Sequence, residues 1–124
     1  MQMKIIYLIA GFFTLQLFAG SVVAQTYPSK TIKVIVPYTP GGSVDNTCRL
    51  ITDQLQKQLG QAVVVENKPG ANGAIGVGEV ARAAPDGYTL LVTNSSSITI
   101  NPQLYKQITY RASDFAPITM VIGA

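Results

Sequence analysis

Val34-Ile35-Val36-Pro37-Tyr38-Thr39-Pro40-Gly41-Gly42-Ser43-Val44-Asp45 decides the reading of this chain: a strand runs straight into a Gly-rich helix start. The pattern returns at Ala62-Val63-Val64-Val65-Glu66, which is followed by Asn67-Lys68-Pro69-Gly70-Ala71-Asn72-Gly73. A helix start leaves its first N–H groups without backbone partners, and its dipole adds partial positive charge. Glycine lets the main chain approach a ligand closely. Both loops are rich in small residues and are placed to aim main-chain donors at an anion such as a carboxylate or phosphate.

The strand before the first loop, Thr31 to Val36, becomes continuously apolar, as strands of covered parallel sheets do. Beyond the loop, Ser43 is placed to cap a helix, and Asp45 falls in its first turn, where a negative charge suits the dipole. Val44, Cys48, Ile51, Leu55 and Leu59 make one apolar helical stripe. Arg49, Thr52, Asp53, Gln56 and Lys57 take the other side, and Gly60 stops the helix.

A second helix is predicted from Gly73 or Ala74 to Ala83, with Ile75, Val77, Val80 and Ala81 buried and with Gly76 and Gly78 weakening it. Ala84-Pro85-Asp86-Gly87 is a turn, Tyr88 to Thr93 a third strand, and Asn94-Ser95-Ser96-Ser97 a third polar loop. Asn101-Pro102 reads as a helix cap with proline after it, and Pro117 to Ile122 as another strand. Alternating strands and helices imply an α/β fold with a parallel sheet of order 2-1-3 and flanking helices. In such a sheet the ligand crevice lies beyond the carboxyl ends of the strands, where the chain reverses direction. The loops Tyr38–Asp45 and Asn94–Ser97 flank that crevice, and Pro69–Gly76 borders it.

The chain has 124 residues. Met1 to Ala24 has the layout of a cleavable secretory signal: Lys4 in a short leader, an apolar run from Ile5 to Ala19, then small residues at Val22-Val23-Ala24. The run falls short of the ~20 residues that span a bilayer. Cutting after Ala24 leaves 124 − 24 = 100 residues and lowers the formal charge from +3 to +2. Cys48 is the only cysteine, which rules out an internal disulfide. Basic residues form no run and do not interleave with aromatics, which argues against nucleic-acid binding.

Catalytic chemistry has little to work with. Histidine is absent, removing the commonest general base and metal ligand. Gly70 to Gly78 does not keep the G-x-G-x-x-G spacing of a dinucleotide site, and no Walker lysine pattern occurs. Asp86 and Asp114 read as turn residues and Cys48 as core. Lys68 offers anion steering or a solvated loop charge, and Tyr38 a stacking surface or a cover for the crevice. No cofactor and no metal are expected.

Several motifs together resemble one family. Tyr27-Pro28-Ser29-Lys30, Val36-Pro37-Tyr38-Thr39-Pro40-Gly41-Gly42 with Asp45, Glu66-Asn67-Lys68-Pro69-Gly70-Ala71, Ala84-Pro85-Asp86-Gly87-Tyr88-Thr89-Leu90, Ile100-Asn101-Pro102-Gln103-Leu104-Tyr105 and Asp114-Phe115-Ala116-Pro117-Ile118 are similar to segments of the Bug receptors. These are the extracytoplasmic solute-binding proteins of tripartite tricarboxylate transporters.

The resemblance implies a two-lobed, hinge-closing fold of the periplasmic-binding-protein (Venus flytrap) type. It implies a monomeric receptor for a small di- or tricarboxylate or amino acid, which passes its ligand to integral membrane subunits and catalyses nothing. Carried onto this chain, the ligand-binding candidates are Tyr38, Pro40, Gly41, Gly42, Ser43, Asp45, Asn72, Gly73, Ala74, Asn94, Ser95, Ser96 and Ser97. Thr39, Ile98-Thr99 and Tyr110-Arg111-Ala112 depart from the family's usual residues. Family members run to about three hundred residues in two lobes. Residues 25–124 therefore correspond to the N-terminal part of the first lobe, ending at the crossover to the second, so the lobe is incomplete. The alternatives are a nucleotide-binding α/β enzyme domain and a truncated product without independent activity.

Overall fold

The computed structural model describes residues 26–122. The expected signal segment and its cleavage point lie outside them. The element order is β1 (Ile32–Val36), α1 (Ser43–Leu59), β2 (Val63–Asn67), a 3-10 turn (Ala71–Gly73), α2 (Ala74–Ala81), β3 (Thr89–Leu91), α3 (Ser95–Thr99), α4 (Asn101–Leu104) and a second 3-10 turn (Ala112–Asp114). The strands form one parallel sheet in the expected order β2-β1-β3, with Val34 in register with Val65 on one side and Leu90 on the other.

The central strand carries the core. Only Lys33 of β1 is exposed. Ile32, Val34 and Val36 point to one face, where Cys48 of α1 joins them and Val44, Leu59, Val63, Val65 and Leu90 pack around. Side chains alternate along a strand, so Ile35 is buried on the opposite face, which α2 covers. Each fully buried Ile or Val contributes about 1.5–3 kcal/mol relative to exposure. Four such residues in one short strand outweigh the loss of about 1 kcal/mol at each glycine inside α2.

The stripe on α1 is largely as expected. Cys48 is fully buried, and Val44, Ile51, Leu55 and Leu59 are half-buried. Thr52, assigned to the polar side, is buried, with its hydroxyl donating to the Arg49 carbonyl at 3.1 Å. The cap is also corrected. Gly42 is the N-cap, Ser43 is the first helical residue, and no side chain caps the helix. Gly60 closes α1 in the left-handed conformation, its N–H bonded to the Gln56 carbonyl.

Other elements differ from expectation for local reasons. α2 ends at Ala81, and Ile75 is exposed because its side chain lies over Gly70 and away from the sheet. Gly76 and Gly78 are buried, and a Cβ on Gly76 would sit 2.9 Å from both the Lys68 carbonyl and the Pro37 side chain. Gly76 therefore lets α2 approach the strand ends closely. Asn94–Ser97 is not a loop: Asn94 caps α3 by accepting from the Ser97 N–H. Asn101 lies inside α4 with Ile100 at its N-cap, because the Asn101 side chain is engaged elsewhere. Pro117–Ile122 forms no strand; Ile118, Met120 and Ile122 are exposed, and no described strand pairs with this segment.

Candidate functional site

Three segments meet beyond the carboxyl ends of the strands. The chain leaving β1 is tied to the end of β2 by the Lys68 N–H, which donates to the Val36 carbonyl at 2.9 Å, and by the Asn67 amide, which donates to the Tyr38 carbonyl at 3.1 Å. It is tied to the segment after β3 by the Tyr38 hydroxyl, 3.0 Å from Thr93 Oγ1 and 2.7 Å from Ser97 Oγ. A Cβ on Gly73 would lie 3.2 Å from Ser97 Oγ and 3.5 Å from the Pro37 side chain. The three loops predicted to share one rim do so.

The turn before α2 is conformationally unusual. Gly70, Ala71, Asn72 and Gly73 all have positive φ, at 127°, 46°, 54° and 88°. For a residue with a Cβ the left-handed conformation costs roughly 1–2 kcal/mol, so two strained residues sit side by side. They are held by the Gly73 N–H, which donates to the Gly70 carbonyl at 2.9 Å. The Asn72 and Asn101 side chains add to the hold: Asn72 Nδ2 donates to Asn101 Oδ1 at 3.1 Å, and Asn101 Nδ2 donates to the Asn72 carbonyl at 2.8 Å.

Most polar candidates are saturated by one another. Asn94 Oδ1 accepts from Ser96 Oγ, Ser97 N and Ser97 Oγ. Ser97 is buried, and the Tyr110 hydroxyl donates to its carbonyl at 2.7 Å. The Gly73 and Ala74 amides are taken by carbonyls of their own turn. The Gly41 amide donates to Asp45 Oδ2 at 2.8 Å. Asp45 is 2% exposed and also accepts from Arg49 and Asn67. The Arg49 guanidinium foremost, then the Gly41 amide and Asn67, hold its carboxyl down at a pKa of about 2.

What this leaves open is main chain. The first intrahelical bond of α1 runs from Asn46 N to Gly42 O. The amides of Ser43 and Val44 accordingly have no acceptor among the described residues, at an exposed helix start. Pro40, Gly42 and Ser95 are exposed along the same rim. Lys68 is not a free steering charge: its ammonium lies 3.6 Å from both Glu66 and Glu79.

One side of the left-handed turn opens into a cleft of about 250 Å³, lined by Ala71, Asn72, Ala74, Tyr105, Gln107 and Ile108. Gln107 and Ile108 carried no signal in the sequence, because they belong to no periodic element. Arg49 and Asn67 were missed as well. The Asp45–Arg49 spacing of four on a predicted helix was the available clue. Among the described residues no group of three metal-ligating side chains occurs, and no helix is long and apolar enough to cross a membrane.

The sequence and fold of this chain are similar to those of known proteins. Residues 47–124 match the family described as the tripartite tricarboxylate transporter family receptor. The chain belongs to this receptor family. Protein BugT of Bordetella pertussis is 45% identical over 105 residues, covering 83% of this chain and 32% of its own length. A solved periplasmic transporter is 52% identical, with a TM-score of 0.66, over 69% of this chain and 29% of that one. MatC from Rhodopseudomonas palustris, solved with bound malate, is 40% identical, with a TM-score of 0.69, over 73% of this chain and 31% of that one. The chain thus spans about a third of the length of these relatives.

Proposed function

We propose that this chain is the N-terminal part of the first lobe of a periplasmic receptor that captures a small carboxylate. The observation that carries the reading is the start of α1. There the amides of Ser43 and Val44 lack acceptors among the described residues, beside a rim most of whose polar side chains are already paired. A carboxylate supplies the missing acceptor and the negative charge that a helix start favours.

The malate bound to MatC supports a dicarboxylate as the solute class. On this reading Gly42, Ser43 and the main chain around Pro40 contact the solute. Tyr38, Gly41, Asp45, Asn72, Gly73, Ala74, Asn94, Ser96 and Ser97 shape the rim, with Ser95 at its edge. The receptor acts as a monomer, catalyses no reaction and passes its solute to integral membrane subunits. Residues 1–24 are its cleaved export signal, and residues 25–124 lead to the crossover into a second lobe.

Calorimetric titration of the full-length receptor that carries this chain with malate, adipate and citrate tests this. Saturable binding of at least one of them is expected. Failure of all three, together with binding of a neutral sugar, overturns the reading.

A further inference from the structure

We infer that Asn72 is a self-modification site: its side-chain amide cyclises onto the Gly73 nitrogen when the turn opens, and Asn101 holds it unreactive in the folded protein. The inference is independent of the carboxylate reading above.

Asn72-Gly73 is the only asparagine–glycine pair in the sequence. Glycine leaves the peptide nitrogen after asparagine open to reaction, because no Cβ shields it. In the reaction hydroxide takes the Gly73 N–H proton, and the nitrogen attacks Asn72 Cγ. The N–Cγ bond forms, the Cγ–Nδ2 bond breaks, and Nδ2 takes a proton from water and leaves as ammonia. Water then adds to either carbonyl of the cyclic imide and opens it to isoaspartate or aspartate. Asn72 is exposed and lines the cleft of about 250 Å³, so water reaches its side chain.

The fold withholds the attacking atom. Gly73 is buried, and its N–H donates to the Gly70 carbonyl at 2.9 Å, so the proton is not free. Cyclisation needs that nitrogen on the Cβ side of Asn72, and a ψ of 37° holds it on the far side. Asn101, only 3% exposed, fixes this arrangement twice over. Its Oδ1 accepts from Asn72 Nδ2 at 3.1 Å, which holds the leaving group. Its Nδ2 donates to the Asn72 carbonyl at 2.8 Å, which holds the peptide plane that contains the Gly73 nitrogen. Reaction therefore requires the pair to part and the turn to open. The product cannot close again in the same way. Aspartate has no N–H to give to Asn101 Oδ1, and isoaspartate lengthens the main chain within the turn. Residue 72 thus keeps a covalent record of time spent open.

The test incubates the full-length receptor that carries this chain in warm, mildly alkaline buffer, folded and in guanidinium chloride. Peptide mapping by mass spectrometry follows conversion at Asn46, Asn72 and Asn94. Asn72 should convert on the order of tenfold or more faster in the unfolded protein than in the folded one. In folded Asn101→Ala its rate should rise on the order of tenfold, because opening no longer breaks two hydrogen bonds. Asn46 and Asn94 should keep their wild-type rates.

No conversion of Asn72 in the unfolded protein overturns the site. Equal rates in the folded and unfolded wild type overturn the protection. An unchanged Asn72 rate in Asn101→Ala, or a rise shared by Asn46 and Asn94, overturns the role of Asn101. If Asn101→Ala does not fold, Asn101→Asp decides, since it keeps the acceptor for Asn72 Nδ2 but cannot donate to the Asn72 carbonyl. A rise confined to Asn72 in that variant supports the inference, and any other result overturns it.

Discussion

The hydroxyl of Tyr38 lies 2.7 Å from Ser97 Oγ, joining the residue that leaves β1 to the first turn of α3 across 59 positions of sequence. Ser97 is buried, and its neighbours Asn94 and Tyr110 are also bonded to it. This one contact fixes the separation of two of the three loops.

Tyr38→Phe removes that bond and leaves the Ser97 and Thr93 hydroxyls short of a partner. Loss of a partner for a buried polar group costs about 1–3 kcal/mol. Urea unfolding should show a drop within that range, and Ser97→Ala in the Tyr38→Phe background should add less than it does alone. Full additivity would mean that the two hydroxyls are not coupled.

Two glycines of the rim should respond differently to alanine. At Gly76 the new Cβ would meet the Lys68 carbonyl and the Pro37 side chain at 2.9 Å. Overpacking of this kind costs about 1–3 kcal/mol. At Gly41 nothing lies within 4 Å, and the only penalty is the positive φ, roughly 1–2 kcal/mol. Gly76→Ala should disturb the Tyr38 amide signal, and Gly41→Ala should leave it in place. The reverse pattern would refute the close approach of α2 to the strand ends.

Ala71 makes the opposite case. Its φ of 46° is strained for a residue with a Cβ. Glycine relieves roughly 1–2 kcal/mol of that strain and loses about 0.5–1 kcal/mol to the greater freedom of the unfolded chain. Ala71→Gly should therefore be neutral to slightly stabilising in thermal melts. A clear destabilisation would show that the Ala71 methyl contributes packing to the cleft.

Stability should fall in acid, with Asp45 among the causes. Its carboxyl is held at about 2, below its ordinary value of 3.8. The folded form therefore binds the proton less readily than the unfolded chain does. The stabilisation is complete above about pH 4 and is lost as pH falls toward 2. Glu66 and Asp86 are shifted in the same direction, by Lys33 and by the Tyr88 amide respectively. Comparing the wild type with Asp45→Asn isolates one contribution: the stability gap between them should close between pH 4 and 2. A gap independent of pH would show that the carboxylate charge is not what matters.

The sheet order was legible because Val34-Ile35-Val36 and Val63-Val64-Val65 are apolar without alternation, and because glycine loops punctuate them. The rim was legible for the same reason. The roles within it were not. Asp45 and Ser97 entered the candidate set through the family resemblance, and in the structure both are buried and bonded to partners distant in sequence. Local spacing cannot show that Asn67 will reach Asp45 or that Tyr38 will reach Ser97. Ile118 to Ile122 has strand-forming residues, but a strand also needs a neighbour, and composition does not supply one. Gly76 was read as a weakness in a helix because the strand-end residues it lies against are far away in sequence.

The register of the central strand governs the order of assembly. Lys33 pairs with Val64 and with Thr89, 89 − 33 = 56 positions further on. Closure of long loops makes such pairings slow. As the chain emerges from the ribosome, β1 can zip to β2 well before β3 exists, and it carries a bare flank until then. Quenched-flow labelling should accordingly find Val34 protected early on its β2 side, and the amides bridging to Leu90 protected last.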